Sequence, residues 1–434
     1  MKKVLPFINE STGTTALRRS RSVEPNQKTN SVRLNRTATE VRVPAKRKTS
    51  SVDGKPAAYH PVSPETLLSV SPLQLQHSAS MLLLNKTAQV LSGSDQNLRR
   101  MPVKTASQVY EVRNSPSNKD STDPFSNDSI SRQESLIAVF KPAIDEDDGL
   151  IQSNEHVKMT AEERTLRERA AYILDKAYNG FSKVPPTALA RVKNANGSLQ
   201  EFVPSDGTAE DNPALVGRAS VEEVQKIAIL DCRIFNLDRH GGNVLVKKKA
   251  NFPVNYEVES IFTLGDEDES ETFIGDVTLT PIDHSLSLPS WTDLDGAWFD
   301  WGFWPQAKHP LTEVSRGLIL SLNLEEDAER LMELGIKPEC VATNSICTVV
   351  LQVFVRELKD VSLKMLSDFF QRPYPAGHIL HNIESPLEHI LNEVCAKLKI
   401  SKKGDYNPSP QFFELFERIM VEKVRTADWK SYLV

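Results

Sequence analysis

One short run constrains this chain more than any other: Asp238-Arg239-His240-Gly241-Gly242-Asn243, set between two apolar segments. Before it, Ser220 caps a stretch in which Val224, Ile227, Ala228 and Leu230 recur at helical spacing. After it, Val244-Leu245-Val246 reads as a strand. The backbone must therefore leave a helix, turn sharply on two glycines and enter a strand, while displaying a carboxylate, a guanidinium, an imidazole and an amide. A local Asp238–Arg239 pair capping the helix is the simplest account of the loop. It leaves unexplained a second carboxylate, Asp283, which follows the apolar strand at 277–282 and precedes His284.

The elements around that loop sort into two groups. Strands are predicted at 108–112 and 136–141, joined by a polar insert. Thr160 and Glu163 form a capping box before Leu166, Ala170, Ile173 and Leu174, which places Glu168 on an amphipathic helix. Strands at 187–192 and 199–203 follow, then the helix from Ser220. Strands at 243–247, 254–262 and 277–282 flank an acidic tip at 265–271. Beyond about residue 310 the pattern is helical throughout, with Asn323 and Glu326 as a cap pair. Ser409-Pro410 opens a segment carrying Phe412, Phe413, Phe416, Ile419 and Met420. Strands with one helix, followed by helices with an inserted hairpin, predict an α+β fold of two lobes.

The flanks differ in composition. Residues 1–113 hold about 18 Lys and Arg against about 7 Asp and Glu, although the whole chain is slightly acidic at −6. Residues 1–100, rich in Ser, Thr and basic side chains, are expected to be disordered. Arg18-Arg19-Ser20-Arg21-Ser22 and Lys46-Arg47-Lys48 suit contact with anionic lipid, a modifying kinase, another regulatory protein or a nuclear carrier. The catalytic domain is expected at 101–399, divided near 204 and 205, and a helical extension at 400–434. The four cysteines, Cys232, Cys340, Cys347 and Cys395, show no paired or zinc-ligand spacing, which favours a reducing compartment. Met1 to Ile8 is too short a start for a signal peptide, and the longest apolar run, 347–355, is too short to span a bilayer. A cytoplasmic protein touching membranes peripherally is expected, with no nucleic-acid partner.

Phosphoryl transfer from a nucleotide asks for cations around the phosphates, oxygen ligands for a divalent metal, and a carboxylate to orient the attacking hydroxyl. The chain supplies these in order: Lys141 at a strand end, Glu168 able to pair with it, Asp238 and Asn243 in one loop, and Asp283 after a buried strand. Singly, each is an ordinary surface charge.

These residues resemble the phosphatidylinositol 3-/4-kinase catalytic domain, in particular the type II-like and plant gamma-type phosphatidylinositol 4-kinases. The similarity covers roughly residues 101–395. Ala138-Val139-Phe140-Lys141-Pro142 is similar to the family's ATP-lysine strand, Leu166 to Asp175 to its glutamate helix, and Gly197 to Val203 to its hinge. Asp231 to Leu245 is the strongest match, and Pro281-Ile282-Asp283-His284 resembles the metal-binding motif. Phe299-Asp300-Trp301 and Trp304-Pro305-Gln306-Ala307 resemble the aromatic segment after it.

The resemblance implies a bilobal, protein-kinase-like fold that phosphorylates the inositol 4-hydroxyl of phosphatidylinositol at a membrane surface, using ATP with Mg2+ or Mn2+. Asp238 would orient the hydroxyl proton, with Arg239 and His240 stabilising developing charge, or with Arg239 equally a structural partner of a carboxylate. Asn243 and Asp283 would hold the metal. Lys141, Glu168 and Ser107 would serve the phosphates, and Gln200, Glu201 and Phe202 the adenine. The same fold also serves protein Ser/Thr kinases and catalytically weak scaffolds. Three departures stand out: the nucleotide loop at Ser107 has no glycine, Ser285 stands where glycine is usual, and inserts lengthen two loops. The cysteine run that anchors animal type II enzymes is absent, so membrane contact falls to the basic tail or to aromatics such as Trp291, Trp298 and Phe303.

Overall fold

Period-two burial builds part of the first lobe. Val112, Ala138 and Phe140 are buried along strands whose intervening residues are more exposed, while Ala188 and Leu199 lie in runs of consecutive buried residues, Thr187-Ala188 and Gly197 to Gln200. The computed structural model describes residues 72–91, 98–101, 109–113, 135–144, 159–192, 194–250, 273–373, 383–401 and 408–433. All of them lie in one unit, Ser63–Val434. Five strands, β1 (Leu98–Arg100), β2 (Tyr110–Arg113), β3 (Leu136–Pro142), β4 (Thr187–Val192) and β5 (Ala195–Glu201), form an antiparallel sheet in the order β1-β2-β3-β5-β4. The register sets Val139 opposite Gln200 and Lys141 opposite Ser198. Gly197 lies against β3 so closely that a Cβ there would meet the Lys141 carbonyl oxygen at 2.3 Å.

Among the described residues, two helices complete this lobe. Helix α1 (Pro72–Leu91) packs on β4 and β5 through Leu84, which joins the sheet's apolar cluster. Helix α2 (Ala161–Ala177) begins at the expected capping box, with Thr160 Oγ1 accepting from the Glu163 amide and the Glu163 side chain accepting from Thr160. The expectation of disorder through residue 100 is thus corrected for 72–91 and 98–100. Composition averaged over the tail hides Met81-Leu82-Leu83-Leu84, one face of which finds the sheet. The tail before residue 72, Ser107, the expected strand at 254–262 and the acidic tip lie outside the described residues.

The second lobe is helical around one β-ladder. Helix α3 (Val221–Ile234), capped by Ser220 as predicted, leads to the Asp238 loop and the two-stranded ladder of β6 (Val244–Lys248) and β7 (Val277–Pro281). Then come α4 (Glu313–Ser321), α5 (Leu324–Leu334), α6 (Pro338–Glu357), α7 (Leu363–Phe370), α8 (Pro386–Leu398) and α9 (Pro410–Arg425). Helix α6 is apolar and long enough to cross a membrane, yet 83% of its apolar window is buried inside the fold, so it is the core helix. Helix α9 is no appendage. Phe412 meets Trp291 at 5.2 Å between ring centres, and Trp429 meets Phe354 at 5.6 Å. Trp291, one of the three aromatics named for membrane contact, is fully buried by that packing.

Candidate active site

The sheet and α2 present the first half of the site. Lys141, at the end of β3, places Nζ 2.7 Å from Glu168 Oε1 and 3.2 Å from Asp283 Oδ1. Glu168 is buried on the inner face of α2, while Lys141 and Asp283 keep 20% and 35% of their side chains exposed. Burial works against the Lys141 charge, but Asp283 and then Glu168 outweigh it and hold the ammonium pKa above its ordinary range. For Glu168 burial favours the neutral acid, yet Lys141 and then His284 prevail and hold the carboxyl below its usual range. The pair is therefore ionised at neutral pH.

The second half is the loop after α3. The helix ends at Phe235 in a left-handed conformation, φ 44°. Asp238 accepts no part of the cap: its amide donates to Asn236 Oδ1 at 2.9 Å, leaving the carboxylate 45% exposed. Burial raises its pKa, His240 lowers it, and Asp283 pushes it up again. His240 Nε2 lies 3.9 Å from Asp238 Oδ2, and its Nδ1 accepts from the Gly242 amide. Both glycines are closely approached by neighbouring groups. A Cβ on Gly241 would meet Glu210 backbone nitrogen at 2.9 Å, and one on Gly242 would meet the His240 ring at 2.6 Å.

Asn243 donates from Nδ2 to the Asp238 carbonyl at 2.9 Å, which turns Oδ1 the other way. The β6–β7 ladder pairs Val244 with Pro281, and the Ile282 amide donates to the Asn243 carbonyl at 3.0 Å, so Asn243 and Asp283 share one end of the ladder. Asp283 then leaves the strand at φ 55°, a costly backbone for a residue with a Cβ. Ser285, the departure from glycine, donates from Oγ to Asp283 Oδ1 at 2.9 Å. The substitution orients the carboxylate.

Arg239 is the correction. Expected beside the reacting groups, it is fully buried and points inward. Its Nε contacts both oxygens of Asp231 at 3.1 and 3.0 Å, and Nη1 donates to the carbonyls of Asn243 and Ile282 at 2.5 and 2.8 Å. Asp231 also accepts from Asn236 and from Trp301 Nε1, each at 3.0 Å. The guanidinium thus ties together the two segments that carry Asn243 and Asp283, and Asp231 neutralises it. Asp300 adds an outer brace, its carboxylate accepting from Gly241 N at 2.6 Å and Trp298 Nε1 at 2.8 Å. Asp231, Asn236, Asp300 and Trp301 were legible only as members of motifs, because a bracing role follows from distances that spacing does not reveal.

The edge expected to meet adenine is also refined. The Gln200 side chain is turned to the Thr187 hydroxyl at 2.9 Å, the Glu201 amide donates to Pro186 at 2.8 Å, and the Phe202 amide to Ile137 at 3.0 Å. The next amide, Val203, is not engaged by any described residue. Gln200 and Phe202 border the site by side chain or position rather than by free amides.

A divalent metal fits the donor set. Among the described residues no group of three or more His, Cys, Asp or Glu side chains could cage an ion. Mg2+ in nucleotide sites takes one or two protein oxygens and completes its shell from phosphates and water. Asn243 Oδ1 and the Asp283 carboxylate are such a pair.

Residues 149–362 match the family of phosphatidylinositol 3- and 4-kinases. The chain carries a phosphatidylinositol 3- and 4-kinase domain. Glu168, the hinge, the Asp238 loop and Asp283 all fall within the matched segment of this kinase domain, and Lys141 and α1 precede it. Phosphatidylinositol 4-kinase gamma 8 of Arabidopsis thaliana is 37% identical over 227 residues, 48% of this chain and 38% of that protein. Gamma 4 of rice, Oryza sativa subsp. japonica, is 36% identical over 247 residues, 50% and 39%. Gamma 3 of Arabidopsis thaliana is 32% identical over 333 residues, 68% and 51%. The chain therefore spans between about a third and about half the length of these relatives.

Proposed function

We propose that this chain transfers the γ-phosphoryl group of ATP to the 4-hydroxyl of phosphatidylinositol at a cytoplasmic membrane surface. The observation that carries the reading is Lys141 held between Glu168 and Asp283, beside a loop that exposes Asp238, in a domain of this family. Lys141, charged and partly exposed, binds nucleotide phosphate. Glu168 fixes its direction without competing for solvent. Asp238 takes the proton of the attacking hydroxyl, and its raised pKa makes it a better base than an ordinary aspartate. His240, 43% exposed, can donate to charge that develops at the transferred group. Asn243 and Asp283 would hold Mg2+ or Mn2+, which when bound neutralises phosphate charge and aligns the leaving group. The site needs its own bilayer contact, and Phe303 offers one: it is 56% exposed, 6.0 Å from the Trp298 ring, whose indole shares Asp300 with Gly241.

The test is transfer of labelled γ-phosphate to phosphatidylinositol in mixed micelles, with casein in a parallel reaction and Asp238→Asn as control. The reading expects label in the lipid and none with the variant. Label confined to casein would replace it with a protein kinase, and label in neither would remove the activity.

A further inference from the structure

Helix α1 lies outside the segment that matches the family, yet it contacts the adenine edge of the site. Ser80 Oγ donates to Glu201 Oε1 at 3.1 Å. One residue on, Met81 Sδ receives Arg169 Nη1 at 3.7 Å, and the same nitrogen donates to the Thr187 carbonyl. Arg169 directly follows Glu168 on α2, and its guanidinium lies 5.2 Å from the Tyr172 ring centre. The circuit closes through Thr187, whose hydroxyl accepts from Gln200 Nε2 at 2.9 Å.

A ring of side chains therefore runs from α1 to the hinge at Glu201 and Gln200, on through β4 to α2, and back to α1. At its centre Leu84, 2% exposed, belongs to the same apolar cluster as Phe140 and Leu199, the neighbours in sequence of Lys141 and Gln200. The other face of α1 is open, with Leu82 and Leu83 57% and 49% exposed. Among the described side chains of α1, Leu84 and Thr87 are buried and Met81 and Ala88 pack against the cluster, so the helix is held by apolar contact as well as by the polar ring.

We infer that α1 is a clamp on the nucleotide site, and that Ser80 and Arg169 are positioning residues that hold the hinge and the Glu168-bearing helix in one arrangement. The inference rests on the kinase reading above. Phosphoryl transfer depends on placement: the lysine strand β3 and the adenine-edge strand β5 are already paired in one sheet, and the ring ties α2, which carries Glu168, to that sheet and to α1. Loosening it lets α2 and the hinge move separately. The effect falls on nucleotide affinity before it falls on turnover, because Asp238, Asn243 and Asp283 sit in the other lobe, braced by Arg239.

The experiment measures, on the full chain, KM for ATP, kcat, binding of a non-hydrolysable ATP analogue and Tm for Ser80→Ala, Ser80→Thr, Arg169→Ala and Leu84→Asp. The clamp predicts that Ser80→Ala raises KM and weakens analogue binding by about threefold to tenfold, the range of one hydrogen bond, at nearly constant kcat and Tm. Ser80→Thr, which keeps the hydroxyl, restores both. Arg169→Ala and Leu84→Asp shift KM in the same direction and further. An unchanged KM in Ser80→Ala and Leu84→Asp, with Tm alone lowered, would show that α1 is packing and no more. A wild-type chain that binds no analogue would overturn the kinase reading itself, and the clamp with it.

Discussion

Two charged clusters lie within a few residues of one another, built from the same chemistry and fitted for opposite work. Asp231 and Arg239 are closed: their side chains are 0% and 1% exposed, and the carboxylate accepts from Arg239, Asn236 and Trp301. Lys141, Glu168 and Asp283 are half open, with the lysine and Asp283 still facing solvent. A buried pair shut off from solvent is out of a ligand's reach and acts as a strut. A pair with an exposed member keeps a charge available. Sequence alone presents Asp238-Arg239-His240 as three adjacent candidates, and the fold divides them, turning Arg239 inward and the other two outward.

The largest effects should fall where the open cluster meets the loop. Asp283→Ala and Asp238→Asn should each lower kcat by at least about 10²-fold while leaving Tm close to wild type, read by lipid phosphorylation and calorimetry. The closed cluster should behave in reverse. Arg239→Leu leaves Asp231 buried and uncompensated, and should cost roughly 3–5 kcal/mol of stability, seen as a large fall in Tm. If that variant folds normally and loses only activity, the contrast between strut and working group is broken.

How much of this was readable beforehand follows from which signals are local. Helical spacing after Ser220 and the capping box at Thr160 are local, and both helices start where those residues place them. The turn on Gly241 and Gly242 is only partly local: His240 crowds Gly242, but the group that crowds Gly241 is Glu210, which comes from far earlier in the chain. The partnership of Lys141 with Glu168 was legible as chemistry, though only the sheet register and α2 bring them to 2.7 Å. The inward course of Arg239 was not legible. It depends on Asp231 one helical turn before the loop and on carbonyls at Asn243 and Ile282, which come together only in the folded ladder. Helix α1 was missed for a related reason, since Leu84 gains meaning only from the sheet beneath it.

A smaller effect concerns pH. Asp238 has a folded pKa raised above the usual aspartate value of about 3.9, so it is protonated earlier as pH falls. The acid limb of kcat/KM should therefore lie above that value. A limb at or below it would mean that Asp238 is an ordinary surface carboxylate and that the open cluster does not reach it. The smallest change should come from Ser285→Gly, which removes one hydrogen bond to Asp283 and should raise the metal concentration needed for half-maximal rate by about threefold to tenfold with no loss of fold.

The most direct measurement sets Asp283→Ala beside Arg239→Leu and records, for each, labelled phosphate transferred from ATP to phosphatidylinositol at saturating substrate together with Tm. The account predicts a folded, inactive Asp283→Ala protein and an Arg239→Leu protein whose Tm has fallen markedly, with activity lost in proportion to the folded fraction. Full activity in Asp283→Ala, or an Arg239→Leu protein of wild-type Tm and no turnover, would contradict it.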